Sequence, residues 1–159
     1  MRVCTQPRGF TLIELMVTLA LIGLVATMVL PMAELTARRN KESELRAALR
    51  QVRESLDAYK QATDEGRIMQ RAGDSGFPRN LEVLVEGIED AKNPTHAKIY
   101  FLRRIPRDPF ADPSLHAEDT WGKRSYSSGP KAPQPGADVF DVYSLSDGTG
   151  INGVPYKEW

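Results

Sequence analysis

The stretch RGFTLIELMVTLALIGLVATMVLPM, residues 8–32, decides how this chain is built. Between Leu12 and Met32 the only formally charged side chain is Glu14. A helix of this length would measure about 31 Å, which matches a bilayer hydrocarbon core of about 30 Å. A secretory signal peptide has a shorter apolar region followed by a small-residue cleavage site, and residues 30–34 (LPMAE) match that pattern poorly. The stretch therefore predicts one membrane-spanning helix.

Length, charge and cysteine content limit what else the chain can be. Its 159 residues allow a membrane segment and one domain. The formal net charge is zero, which gives no general attraction to nucleic acid, and we expect no nucleic-acid partner. The one cysteine, Cys4, precedes the apolar run, so no disulfide and no cysteine-ligated metal site is expected in the domain that follows.

A second helical pattern follows the apolar run and extends from Ala33 to about Ala62. Its apolar residues recur at spacings of four, three, four and three, which is typical of an amphipathic helix that packs on a core. These residues are Leu45, Leu49, Val52, Leu56 and Tyr59. Glu42 with Arg46, and Arg53 with Asp57, are i,i+4 pairs predicted for the solvent-facing side. The two patterns predict one continuous helix of roughly 50 residues.

The rest of the chain predicts a small sheet. The segment GDSGFP (73–78) ends the helical pattern, and Asn80 is predicted to cap a short helix over residues 81–85. Residues 121–127 and 139–145 are predicted strands, joined by a segment rich in proline and glycine. The predicted fold is α+β, with a long N-terminal helix packed on a small C-terminal antiparallel sheet.

Catalytic patterns are missing from the sequence. His96 and His116 have no acidic cluster at metal-ligand spacing, and Ser144 is not in a Gly-x-Ser-x-Gly turn. The segment GTG (148–150) lacks the lysine of a phosphate-binding loop. We therefore expect a protein that is not an enzyme.

Glu14 calls for a positive partner, because a carboxylate within a membrane helix is costly and usually paired. If the chain were cut between Gly9 and Phe10, the new α-amino group would be cationic. It would lie four residues from Glu14, and it could pair within its own chain or with the glutamate of a neighbour. Alternatively, Glu14 is an interfacial carboxylate in an ordinary signal anchor. The residues alone leave both interpretations open.

Residues 9–14, GFTLIE, preceded by a short basic leader, resemble the type IV prepilin signal. The resemblance implies cleavage after Gly9 by prepilin peptidase and N-methylation of Phe10. It also implies that Glu14 neutralises the N-terminus of a neighbouring subunit during filament assembly. Gly23 and Pro31 stand where that family has residues that soften the helix.

The resemblance also implies an orientation, with the leader in the cytoplasm and the C-terminal domain outside the bacterial inner membrane. Local charge predicts the reverse, because more basic residues follow the apolar run than precede it. The motif is the more specific of the two signals, so we expect the orientation of the prepilin family.

Four later segments narrow the resemblance to the major pseudopilins (protein G) of type II secretion. They are GFPRNLEVLVEG (76–87), FLRRIPRDPF (101–110), DTWGKRSY (119–126) and DVFDVYSLSDG (138–148). The resemblance implies a leader at 1–9, a transmembrane and filament-core helix at 10–32, and a periplasmic domain at 33–159. It implies a filament subunit that drives protein export.

The partners implied by the resemblance are further copies of the chain, other pseudopilins, prepilin peptidase and the inner-membrane secretion platform. Two alternatives remain. One is a major or minor subunit of a type IV pilus. The other is a monomeric, membrane-anchored binding module that uses the loop of residues 106–120.

The C-terminal tail departs from the family, whose tail carries aspartates that help to bind calcium. Asp147 and the carbonyl of Leu145 match two ligand positions, but the later acidic ligands are missing. A calcium site therefore requires a substitute ligand such as Asn152. The alternative is that packing of Tyr156 and Trp159 holds the tail.

Overall fold

The computed structural model describes residues 9–159, except for the side chains of residues 28–31. Its main element is one continuous helix, α1, Leu12–Asp64. This confirms the predicted union of the apolar and amphipathic segments. Residues 1–8 of the predicted leader, including Cys4, lie outside the described residues, as does the side chain of Pro31. The backbone packing separates a unit that ends at Arg39 from a second unit, Asn40–Trp159.

The first part of α1 has the properties of a membrane segment. It is the one helix in the described part of the chain that is long and apolar enough to cross a membrane, with a mean hydropathy of 2.4 over its best window. The hydroxyl of Thr18 donates to the carbonyl of Leu15 at 2.8 Å, and that of Thr27 donates to Leu24 at 2.7 Å. These contacts satisfy the hydroxyl donors without water, as a lipid environment requires.

The amphipathic part of α1 supplies one wall of the core. All five residues of the predicted stripe are buried, with exposed fractions between 0 and 8%. They pack in one cluster with apolar residues from the rest of the domain: Leu81, Leu84, Leu102, Trp121, Val139, Val142 and Tyr156. The stripe is therefore core packing, as its spacing predicts.

Two antiparallel pairs of strands make up the β structure. The pair β1 (Ile88–Glu89) and β2 (Lys98–Ile99) was not predicted, because strands of two residues have no readable alternation. The strands β3 (Trp121–Arg124) and β4 (Asp141–Ser144) pair with Trp121 opposite Ser144. Both are shorter than predicted, yet the α+β fold with a small antiparallel sheet is confirmed.

The short helix α2, Glu82–Glu86, begins one residue later than predicted. The side-chain oxygen of Asn80 accepts a hydrogen bond from the amide of Val83 at 3.2 Å, so Asn80 does serve the start of this helix. Two 3-10 helices complete the fold, Glu118–Thr120 before β3 and Tyr156–Glu158 in the tail.

Asp108 ties the loop of residues 106–120 to the sheet. Its buried carboxylate accepts a hydrogen bond from the hydroxyl of Ser144 at 2.5 Å. The indole nitrogen of Trp121 donates to the carbonyl of Pro106 at 2.8 Å. In the described part of the chain, every buried side-chain nitrogen or oxygen has a hydrogen-bond partner.

Candidate functional site

The N-terminal end of α1 brings together residues of the predicted cleavage and assembly site. Gly9, Phe10, Thr11 and Glu14 line one open recess. The amide of Glu14 donates to the hydroxyl of Thr11 at 3.3 Å, and the amide of Thr11 donates to the Glu14 carboxylate at 3.4 Å. This reciprocal arrangement is a capping box, in which two side chains satisfy amides that a helix end leaves free.

This capping box was not predicted, although the sequence carries a signal for it. A threonine followed three residues later by glutamate, just before an apolar run, is the signature of a capped helix start. The box gives Glu14 a local role that does not depend on a neighbouring subunit. It also holds the carboxylate at the positive end of the helix dipole, close to Phe10.

Among the described residues, the apolar side chains around this site are exposed. Phe10 is 85% exposed, and the large apolar side chains of α1 from Leu12 to Val25 are exposed as well. A continuous apolar surface of this extent indicates burial against lipid or against other proteins. Gly23 lies on the same part of α1, and a Cβ atom added there would meet nothing within 4 Å.

The predicted calcium ligands, Asp147 and the carbonyl of Leu145, belong to exposed residues of the tail. Leu145 is 55% exposed and Asp147 is also exposed. Nowhere among residues 9–159 do three or more acidic, histidine or cysteine side chains form a group that could hold a metal. Calcium takes six to eight oxygen ligands, generally with several carboxylates, and Asp147 offers one carboxylate.

Glu42 contacts the C-terminal tail, residues 145–159. This corrects its predicted place on the solvent-facing side of α1. Its side chain is 4% exposed. The Glu42 carboxylate accepts hydrogen bonds from the amide of Ile151 at 2.8 Å and from the hydroxyl of Tyr156 at 3.0 Å. One buried carboxylate thus holds the tail at two points.

Arg53 also contacts the tail rather than Asp57, its predicted partner. Its Nε donates to the carboxylate of Asp141 at 2.8 Å. Its Nη2 donates to the carbonyl of Val142 at 3.1 Å and to the main-chain oxygen of Trp159 at 2.8 Å. The guanidinium therefore joins α1, β4 and the end of the tail. Arg46, the predicted partner of Glu42, is exposed as predicted, and its guanidinium lies over the Trp159 ring, 4.3 Å from its centre.

Two glycines of the tail leave room for aromatic rings. A Cβ atom at Gly148 would lie 2.7 Å from the ring of Tyr156, and one at Gly150 would lie 2.4 Å from the ring of Trp159. Both distances are far below van der Waals contact. The Tyr156 and Trp159 rings meet edge to face with centres 5.0 Å apart. The predicted alternative, that these two rings pack to hold the tail, describes the observed geometry.

The loop of residues 106–120 is held by its own side chains. Arg107 donates to the carbonyls of Leu115 and Asp112 at 2.5 and 3.0 Å. Hydrogen bonds from the amide and hydroxyl of Ser114 lower the pKa of Asp112. These contacts are turn chemistry, and they assemble no catalytic group.

Comparison with known proteins identifies the chain. Residues 5–30 match the family described as Prokaryotic N-terminal methylation motif. The chain is 27% identical to type II secretion system core protein G of Pseudomonas aeruginosa over 97% of its own length and 96% of the relative's. The chain is also 30% identical to the Klebsiella pneumoniae protein of the same name. This match covers 66% of the present chain and 70% of the relative. No solved structure matches the chain.

The long apolar helix, the small sheet and the methylation motif define a pilin-like protein of the pseudopilin class. More narrowly, the chain belongs to the type II secretion system core protein G family.

Proposed function

We propose that this chain is a structural, non-catalytic subunit of a type II secretion pseudopilus, and that its polymerisation drives protein export across the outer membrane. The observation that carries the proposal is the combination of the methylation motif at residues 5–30 with an apolar helix, beginning at Leu12, whose described side chains up to Val25 are exposed. The likeness to protein G over 97% of the chain supports the same function.

In this proposal the subunit is first inserted in the inner membrane. Residues 10–32 anchor it there, with residues 33–159 in the periplasm and the leader in the cytoplasm. Prepilin peptidase removes residues 1–9 by cutting between Gly9 and Phe10, and the new amino group of Phe10 is methylated. The secretion platform and other pseudopilins then receive the processed subunit.

Assembly depends on Glu14 in this proposal. In a filament the apolar halves of α1 pack on one another, so water leaves the helix surface and a single carboxylate becomes expensive to bury. The methylated amino group of Phe10 on a neighbouring subunit is a cation that offsets this cost. The pairing favours one stagger between neighbours, while Gly23 and Pro31 soften the helix so that it can fit that stagger.

The intact mass of the protein, isolated from its native membranes, tests the processing step. We expect a chain that starts at Phe10 and carries one added methyl group. A mass that still includes residues 1–9, in cells whose peptidase processes other prepilins, would contradict the proposal.

A further inference from the structure

We infer that the C-terminal tail, residues 145–159, is locked to α1 by side chains of the protein itself and needs no calcium ion. We call Glu42, Arg53, Tyr156 and Trp159 the tail lock. The inference concerns the stability of one subunit, so it does not rest on the proposed function in a filament.

The first argument is that the tail's buried acidic contact is already used by the protein. Glu42 accepts hydrogen bonds from a tail amide, Ile151, and from a tail side chain, Tyr156. A cation would have to compete with both donors for this carboxylate. Asp147, which matches a calcium ligand position of the family, is exposed, so its carboxylate stays hydrated.

The second argument is that the carbonyls of the tail are also used. The carbonyl of Gly148 accepts from the amide of Tyr156 at 3.0 Å, and that of Gly150 accepts from Gly153 at 2.9 Å. The carbonyl of Val154 accepts from the amide of Gly150 at 2.8 Å and from the indole of Trp159 at 3.2 Å. These three carbonyls close turns of the tail, and a calcium ion would have to compete with their donors for them.

The third argument is that Asn152, the possible substitute ligand, is used in the same way. Its side-chain oxygen accepts a hydrogen bond from the amide of Val154 at 3.1 Å, which closes an asparagine turn. The side-chain oxygen of Asn152 therefore already has a local partner, for which a calcium ion would have to compete.

The fourth argument is that the aromatic rings of the tail pack against each other and against neighbouring side chains. Tyr156 stacks on Phe110 with ring centres 4.3 Å apart, and it meets Trp159 edge to face. Arg46 covers the outer face of Trp159, and Arg53 holds its main-chain oxygen. The rings, the cation over Trp159, the buried carboxylate of Glu42 and the half-exposed guanidinium of Arg53 together fix the tail without a metal.

Hydrogen exchange of the full-length chain in detergent tests the inference directly. Peptides covering residues 148–159 are followed by mass spectrometry with excess calcium and with EDTA. We expect the same exchange rates, within about twofold, in both conditions. Exchange that is slower with calcium by about tenfold or more would overturn the inference, and this result needs no variant.

A matched pair of substitutions tests the role of the lock. Glu42→Ala removes the buried carboxylate that accepts from Ile151 and Tyr156, so the tail peptides should exchange about tenfold faster or more. Glu44→Ala removes an exposed carboxylate two residues away and should leave the tail peptides unchanged. Unchanged tail exchange in Glu42→Ala would overturn the inference, as would equal acceleration in both variants.

Discussion

Asp90 and Arg67 show what one ion pair does for the segment that follows α1. The Nε and Nη2 atoms of Arg67 donate to one oxygen of Asp90 at 3.0 and 2.8 Å. The amide of Lys92 donates to its other oxygen at 3.0 Å. The hydrogen bond from Arg67 is the largest cause of a lowered pKa of Asp90, and it also raises the pKa of Arg67.

This pair predicts a pH-dependent stability. Because the pKa of Asp90 is lower in the folded chain, its contribution is complete above the ordinary aspartate pKa of about 3.9 and is lost as pH falls through the folded value. Asp90→Asn should therefore lower the melting temperature at pH 7. The loss relative to wild type should shrink as the pH falls below about 4.

Thermal unfolding of both chains between neutral and acid pH checks this prediction. Asp57→Asn, which changes an exposed carboxylate on α1, is the control and should follow the wild-type curve. A loss in Asp90→Asn that stays constant over the whole pH range would show that the carboxylate charge is not what stabilises the segment.

Single residues also show where sequence reasoning fails. The rule for i,i+4 pairs placed Glu42 and Arg53 on the solvent side of α1, but their partners lie far away in sequence. Tyr156 is 114 residues from Glu42, and Trp159 is 106 residues from Arg53. Helical spacing carries no information about such contacts. The capping box of Thr11 and Glu14, in contrast, is local and could have been predicted.

At the scale of elements, α1 is one helix with two kinds of surface. Its first part is apolar on every side, and its later part has one apolar stripe. The length of the apolar run predicted the first part and helical spacing predicted the second, because both are local properties of the sequence. The same reasoning overestimated the length of β3 and β4, since pairing partners decide where a strand ends.

The stripe predicts a large cost for removing one of its members. Leu56 is 1% exposed, so Leu56→Ala leaves a cavity in the core. Such changes lower the free energy of unfolding by about 2–5 kcal/mol. Chemical denaturation of the detergent-solubilised chain measures the loss.

Leu115→Ala is the matched control, because that leucine is 43% exposed. Its effect should remain within about 0.5 kcal/mol. Equal losses in the two variants would contradict the assignment of the stripe to the core.

At the scale of the whole molecule, the family could be predicted because its signals are local. The methylation motif is contiguous, and the later segments follow one another in a recognisable order. The packing of Tyr156 and Trp159 was one predicted alternative, but the anchoring of the tail to α1 was not predicted, because it depends on α1 side chains meeting residues about a hundred positions later. The departure of the tail from its family was visible in the sequence, but its structural replacement was not.

The central claim is that the charge of Glu14 holds neighbouring subunits in register. The structure gives Glu14 a second role as a helix cap, and one pair of variants separates the two. Glutamine can replace glutamate in a capping box, so Glu14→Gln keeps the cap and removes the charge. Glu14→Ala removes both.

The most direct measurement is the yield of sheared filaments from cells that carry wild-type chain, Glu14→Gln or Glu14→Ala. The mass of the membrane-bound subunit is measured in parallel to verify processing. We predict that both variants are cleaved before Phe10 and that neither forms filaments. Wild-type filament yield from Glu14→Gln would contradict the claim, because the cap alone would then be sufficient for assembly.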